Sequence, residues 1–98
     1  MSKNKKPIGV YAGAASRILR VHLADILDTG DNSRKASETR YMVYGALEKI
    51  GYTHQEIANY FKIGREAVTK ALGKLDGLLA TYGDIRGEYQ RLNALILI

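Results

Sequence analysis

Residues 53–72 contain a capped helix start, a short turn and a second amphipathic segment, in the order THQEIANYFKIGREAVTKAL. Thr53 and Glu56 have the spacing of a capping box, in which each side chain satisfies an amide of the first helical turn. Apolar residues recur at helical spacing on both sides of Gly64, namely Ile57 and Phe61 before it and Val68, Ala71 and Leu72 after it. This pattern predicts two short helices that pack on one another, a helix-turn-helix.

The rest of the chain also has the spacing of helices, and no segment alternates between apolar and polar residues as a strand does. We predict an all-α fold of about six helices with the helix-turn-helix at its centre. We expect helix 1 over the stripe from Ile8 to Leu19 and a short helix 2 from Leu23 to Asp28, followed by the loop DTGDNSRKASE, which carries Arg34 and Lys35 near its end. Helix 3 is expected to be N-capped by Ser37 and helix 4 by Thr53. Helix 5 should run from about Arg65 to near Tyr82, and helix 6 should follow Gly83. Residues 1–7 are expected to form a flexible basic tail, and residues 8–98 a single helical DNA-binding domain.

The composition narrows the classes of function. Fifteen Lys and Arg residues against ten Asp and Glu residues give a net charge of +5, which favours polyanionic partners, nucleic acid above all. The absence of cysteine excludes disulfides and thiolate zinc sites and is compatible with a reducing cytoplasm, the location we expect. No apolar run approaches the roughly 20 residues of a membrane helix. We therefore expect no membrane partner. The two histidines, His22 and His54, lack partners at metal-ligand spacing, so we expect no metal site. Because no nucleophile–base or metal constellation is found either, we expect no enzymatic activity, cofactor or small-molecule substrate.

The polar face of helix 5 has the chemistry of a DNA-reading surface. Arg65 can bond a guanine through two hydrogen bonds, Glu66 can accept from a cytosine, and Thr69 can contact a thymine methyl or a phosphate. Lys70 and Lys74 are better placed for phosphates, which give affinity without sequence choice. We therefore predict that helix 5 lies in the major groove of double-stranded DNA.

Further phosphate contacts are expected at the start of helix 4 and at the turn. A helix N-terminus attracts anions through its free amides, which here belong to Thr53, His54 and Gln55, and Lys62 adds a cation where a glycine often begins the turn. Helical bundles that never bind DNA can have the same spacing. The alternative is therefore a protein-interaction module that binds a partner through helix 5 or the patch Leu95–Ile98, and the C-terminal helix can also form a homodimer contact.

A wider pattern extends beyond the helix-turn-helix. Its segments are Leu23-Ala24-Asp25-Ile26-Leu27, the loop with Arg34 and Lys35, Arg40 opening helix 3, Thr53-His54-Gln55-Glu56-Ile57, Phe61, Lys74-Leu75 and the tail DIRGEYQRLNAL. Over nearly the whole chain, this pattern resembles the C-terminal DNA-binding domain of DnaA, the bacterial chromosomal replication initiator, a helix-turn-helix domain of the TrpR-like superfamily.

The resemblance implies that the basic loop enters the minor groove while helix 5 reads the adjacent major groove. Arg34, with Lys35 as a substitute, is then the minor-groove residue. Arg40 matches a family arginine that contacts DNA near the loop, and Thr53 matches a phosphate site.

The chain also departs from the family. The recognition signature Asp-His-Thr-Thr-Val is replaced by Gly64-Arg65-Glu66-Ala67-Val68, so we do not expect binding to the initiator's own DNA box. A Gly-x-x-x-x-Gly-Lys phosphate loop is missing too, so the expected role is that of a small regulator or an accessory protein of replication or of a mobile element.

Overall fold

In the computed structural model, which describes residues 6–97, the chain folds into six α-helices. They are α1 (Ile8–Leu19), α2 (Leu23–Leu27), α3 (Arg34–Ile50), α4 (His54–Phe61), α5 (Arg65–Thr81) and α6 (Gly83–Leu95). No strand occurs among the described residues, so the predicted all-α fold of about six helices is confirmed. Most of the predicted basic tail, including Lys3 and Lys5, lies outside the described residues, as does Ile98 at the end of the predicted C-terminal patch.

Helix α3 lies at the centre of the fold and contacts all five other helices of the described range. Val43 and Leu47 are fully buried on it, as their helical spacing predicts. Gly45 lies where α5 and α6 approach α3 most closely, because a Cβ at this position would lie 2.6 Å from both Leu75 Cδ2 and Tyr89 Oη. The absence of a side chain at position 45 therefore sets how closely α5 packs on the central helix.

The turn between α4 and α5 is a Schellman motif that ends α4. Lys62 has a left-handed backbone, with φ 59° and ψ 45°, and its amide donates to the Asn59 carbonyl at 3.4 Å. The amide of Ile63 donates to the Ala58 carbonyl at 3.0 Å, and the half-buried Ile63 packs against the core. This conformation explains why glycine is common at the place that Lys62 occupies, since glycine adopts it without steric cost.

The predicted start of helix 3 at Ser37 is wrong. The N-cap is Ser33, whose hydroxyl accepts from the Ala36 amide at 3.4 Å, so Arg34 and Lys35 belong to the first helical turn rather than to a loop. Asp31 stabilises the backbone at this N-cap, because its carboxylate accepts a hydrogen bond from the Ser33 amide at 3.0 Å. The same hydrogen bond lowers the pKa of Asp31. The polar residues at positions 34, 35, 37 and 38 hid a helical turn that begins four residues earlier than predicted.

Candidate nucleic-acid interface

Helices α4 and α5 pack through the apolar residues that the sequence indicated. Ile57, Ala58 and Val68 are fully buried, and Phe61 and Ala71 are nearly so. The ring of Phe61 lies edge-on to that of Tyr44, with centroids 4.9 Å apart, which fixes α4 against α3. Contacts of this kind leave the opposite side of α5 free of the core.

The predicted capping box at the start of α4 is present. The Thr53 hydroxyl accepts from the Glu56 amide at 3.1 Å, and the Thr53 amide donates to Glu56 Oε1 at 2.8 Å. The prediction that the Thr53 amide is free for a phosphate is therefore wrong. The amides of His54 and Gln55 belong to the first turn, where N–H groups have no intrahelical acceptor, so both keep the predicted capacity to bind an anion.

A shallow cleft lies between the start of α4 and the start of α5. It has a volume of about 600 Å³, and its lining residues are Thr53, His54, Gln55, Arg65, Glu66, Thr69 and Lys70. The sequence had assigned all of these residues to DNA contacts. The structure brings them together from two helices, and except for the half-buried His54 they are exposed to solvent.

The exposed side of α5 continues from this cleft toward the start of α3. Lys70 and Lys74 line a second groove with Asn32 and Tyr41, and Lys74 lines a third groove with Arg34. We call the exposed residues along this side the α5 surface; they are Arg65, Glu66, Thr69, Lys70 and Lys74 on α5, with Arg34 at its far end. Four of the six are cationic, and Glu66 is the single carboxylate among them.

Arg34 reaches the α5 surface from the first turn of α3. Its Nε lies 2.9 Å from Glu38 Oε2, an ion pair that raises the pKa of the arginine, and its guanidinium lies 5.5 Å from the ring centroid of Tyr82. The Arg34 side chain is nevertheless 73% exposed. The Glu38 side chain is only 17% exposed, so the ion pair is accessible to solvent on the side of the guanidinium alone.

Arg40 has a structural role that replaces its predicted phosphate contact. The residue is only 5% exposed, and its two terminal nitrogens donate to the backbone carbonyls of Asp28, at 2.9 Å, and Asp31, at 2.5 Å. It lies in the second turn of α3 and does not open the helix. Arg40 therefore holds the loop between α2 and α3 in place, and we remove it from the phosphate candidates.

Two other predicted cations lie away from the cleft. Lys62 is exposed at the turn between α4 and α5. Lys35 lines a separate groove together with the carboxylates of Asp25 and Asp31, whereas its neighbour Arg34 faces Lys74. The structure thus places Arg34, and not Lys35, in a groove with an exposed lysine of α5.

His54 connects three helices beneath the cleft. Its Nε2 lies 2.7 Å from Glu48 Oε2 on α3, and its Nδ1 lies 2.8 Å from Thr69 Oγ1 on α5. Thr69 Oγ1 also lies within hydrogen-bond distance of the Arg65 carbonyl oxygen, at 3.3 Å. Sequence reasoning missed Glu48 and gave Tyr82 no place in the site, because both reach it through tertiary contacts that no local spacing marks.

Comparison with known proteins adds no relative. No protein-family model, no curated protein and no solved structure matches the chain.

Within residues 6–97, no group of three or more His, Asp or Glu side chains is placed to hold a metal ion. In the same part of the chain, no helix combines the length and the apolar character that crossing a bilayer requires.

Proposed function

We propose that this domain binds double-stranded DNA with sequence preference, using α5 in the major groove and Arg34 at the neighbouring minor groove. The single observation that carries the proposal is the α5 surface, where Arg65, Lys70 and Lys74 remain exposed while Val68 and Leu75 on the same helix are buried. The resemblance to the DnaA domain implies the same division between grooves. We further propose that the domain acts without enzymatic activity, as a regulator or an accessory protein of replication or of a mobile element.

The dimensions of α5 suit this arrangement. Seventeen residues span roughly 25 Å at about 1.5 Å per residue, whereas the major groove is about 12 Å wide. When the N-terminal end of the helix, with Arg65, occupies the groove, its C-terminal end extends beyond the groove edge. Lys74 and Arg34 share a groove toward that end and are therefore positioned for the flanking backbone and the next minor groove.

The chemistry of the surface divides into two roles. Arg65 and Glu66 stand at the first turn of α5 and can contact base edges, Arg65 as a donor to guanine and Glu66 as an acceptor from cytosine. Lys70 and Lys74 contact phosphates, as do the first-turn amides of His54 and Gln55 across the cleft.

Selection of bound duplexes from a random pool, followed by fluorescence anisotropy on the selected site, tests the proposal. We expect Arg65→Ala to relax the base preference at a cost of about 1–3 kcal/mol in binding free energy. Lys70→Ala should instead weaken all sequences alike and reduce the slope of log K against log salt by about 0.9. Arg17 on α1 lines none of the three grooves, so Arg17→Ala controls for the loss of one positive charge.

An affinity that does not fall with salt would contradict this function, because phosphate contacts release counterions. Such a result would favour the protein-interaction alternative. The apolar side chains exposed near the C-terminus, Leu95 at 41% and Leu97 at 65%, are the residues to substitute in that case.

A further inference from the structure

The hydrogen bonds around His54 determine whether the Thr69 hydroxyl can donate or only accept a further hydrogen bond. Glu48, His54 and Thr69 form a chain from α3 through α4 to α5, with distances of 2.7 Å and 2.8 Å at the two imidazole nitrogens. The hydroxyl of Thr69 has one proton to donate and two lone pairs that accept. The direction of each bond in the chain can therefore be assigned from donor and acceptor chemistry.

The carboxylate of Glu48 can only accept, so Nε2 of His54 carries a proton. In the neutral imidazole Nδ1 is then an acceptor, and the Thr69 hydroxyl donates its proton to it. In the imidazolium Nδ1 donates to Thr69 Oγ1, and the hydroxyl proton is directed to the Arg65 carbonyl, 3.3 Å away. In both states the only hydroxyl proton of Thr69 is used inside the protein.

We propose that Thr69 is a specificity-determining residue that accepts a hydrogen bond from an exocyclic amino group of DNA, with Glu48 and His54 as its positioning residues. This inference rests on the proposed function. Major-groove edges offer such donors at N6 of adenine and N4 of cytosine, whereas guanine O6 and N7 and thymine O4 are acceptors. A phosphate oxygen is also only an acceptor, so the hydroxyl does not serve as the phosphate contact that its sequence position first indicated.

The location of Thr69 supports a role in reading bases. Thr69 is one helical turn from Arg65 on the exposed side of α5, and both line the cleft together with Glu66. Helix residues four positions apart lie on the same face, so Thr69 and Arg65 face neighbouring base pairs when α5 lies along the groove. The half-buried imidazole of His54 lies in the same cleft, and its Nδ1 contacts the Thr69 hydroxyl, through which we propose that it acts.

The deciding experiment uses the duplex selected by the wild-type protein and measures base preference in two threonine variants. Thr69→Val keeps the methyl group and loses the acceptor, whereas Thr69→Ser keeps the acceptor and loses the methyl group. We expect Thr69→Val to lose a preference for adenine or cytosine at one base pair, and Thr69→Ser to keep it. Replacing that base by its analogue without the amino group should weaken wild-type binding about two- to tenfold and leave Thr69→Val unaffected.

Two further variants test the positioning residues. His54→Phe keeps the backbone amide at the start of α4 but frees the Thr69 hydroxyl to donate, so the preference should broaden to bases with acceptors at the same pair. Glu48→Gln can still accept from Nε2 and should retain the preference, whereas Glu48→Ala should broaden it.

The possible failures are distinguishable. A Thr69→Val protein with the wild-type preference, or a wild-type preference for guanine or thymine at the affected pair, would overturn the role of Thr69 while leaving DNA binding intact. If the wild-type protein bound no duplex at any salt concentration, both the proposed function and this inference would be rejected.

Discussion

Arg40 illustrates how a basic residue beside a predicted DNA surface can serve the fold instead. Its guanidinium is buried and donates to two loop carbonyls, although the residue also lines the groove that contains Lys70 and Lys74. Sequence alone could not distinguish this role from a phosphate contact, because both require an arginine close to the loop.

We expect Arg40→Leu to lower the free energy of unfolding by about 2–3 kcal/mol, because it removes the charged donors from which two loop carbonyls accept. The Asp31 carbonyl loses the Arg40 donor, whereas the Asp28 carbonyl keeps its bond from the Asp31 amide at 3.2 Å. Lys35→Ala, a cation removed from the exposed first turn of the same helix, should change it by less than about 0.5 kcal/mol. Urea denaturation followed by circular dichroism measures both. A fully stable Arg40→Leu protein with weakened DNA binding would restore the phosphate assignment.

Lys62 has a conformational role in the turn and a proposed electrostatic role in DNA binding, and the two can be separated. Its left-handed backbone disfavours most side chains, whereas asparagine and glycine adopt it more easily. We expect Lys62→Asn and Lys62→Gly to keep or raise the free energy of unfolding, by up to about 1 kcal/mol. Both should also reduce the salt slope of DNA binding by about 0.9 if Lys62 contacts a phosphate.

Titration of the duplex at several salt concentrations provides the measurement for Lys62. An unchanged slope in both variants would assign Lys62 to the turn alone. The pair controls for conformation, because the two replacements remove the same charge and differ in backbone freedom.

At the scale of the helix, replacing glycine by alanine should change the free energy of unfolding in opposite directions at two positions. A Cβ at Gly45 would meet Leu75 and Tyr89, whereas a Cβ at Gly77, on the exposed side of α5, meets nothing within 4 Å. We expect Gly45→Ala to lower the free energy of unfolding by about 1–3 kcal/mol through overpacking. Gly77→Ala should raise it by about 0.5–1 kcal/mol, because alanine favours the helix.

Thermal and urea denaturation of the two variants test this contrast. Equal effects of one sign would contradict the close approach of α5 to α3 at Gly45. Because the substitution is identical and both positions are helical, differences in helix propensity cancel in the comparison.

The helix-turn-helix is largely predictable from sequence because local signals mark its ends. The Thr53–Glu56 capping box gives the start of α4, Gly64 precedes α5, and the seven residues of the first cleft follow from helical spacing. The start of α3 was missed because the Ser33 cap depends on a carboxylate from the preceding loop. The pairing of Glu48 with His54 depends on the reversal of the chain between α3 and α4, which no periodicity encodes.

At the scale of the whole molecule, charge composition indicates a polyanionic partner but does not locate it. The net charge of +5 could be spread over every face, and Lys35 does lie beside Asp25 and Asp31 in another groove. The fold supplies the missing information, since it aligns Arg65, Lys70 and Lys74 on one side of α5.

The loop between α2 and α3 is held by hydrogen bonds within the chain. Within the loop, the Asp28 carboxylate accepts from the Gly30 amide at 3.1 Å, and the guanidinium of Arg40 holds two of its carbonyls. Under the proposed function, Arg34 would meet DNA next to a loop that these bonds already hold, and association would need no folding step at this end of the α5 surface. Calorimetry should give a heat-capacity change that the buried interface alone explains, and a much larger negative value would indicate that ordering accompanies binding.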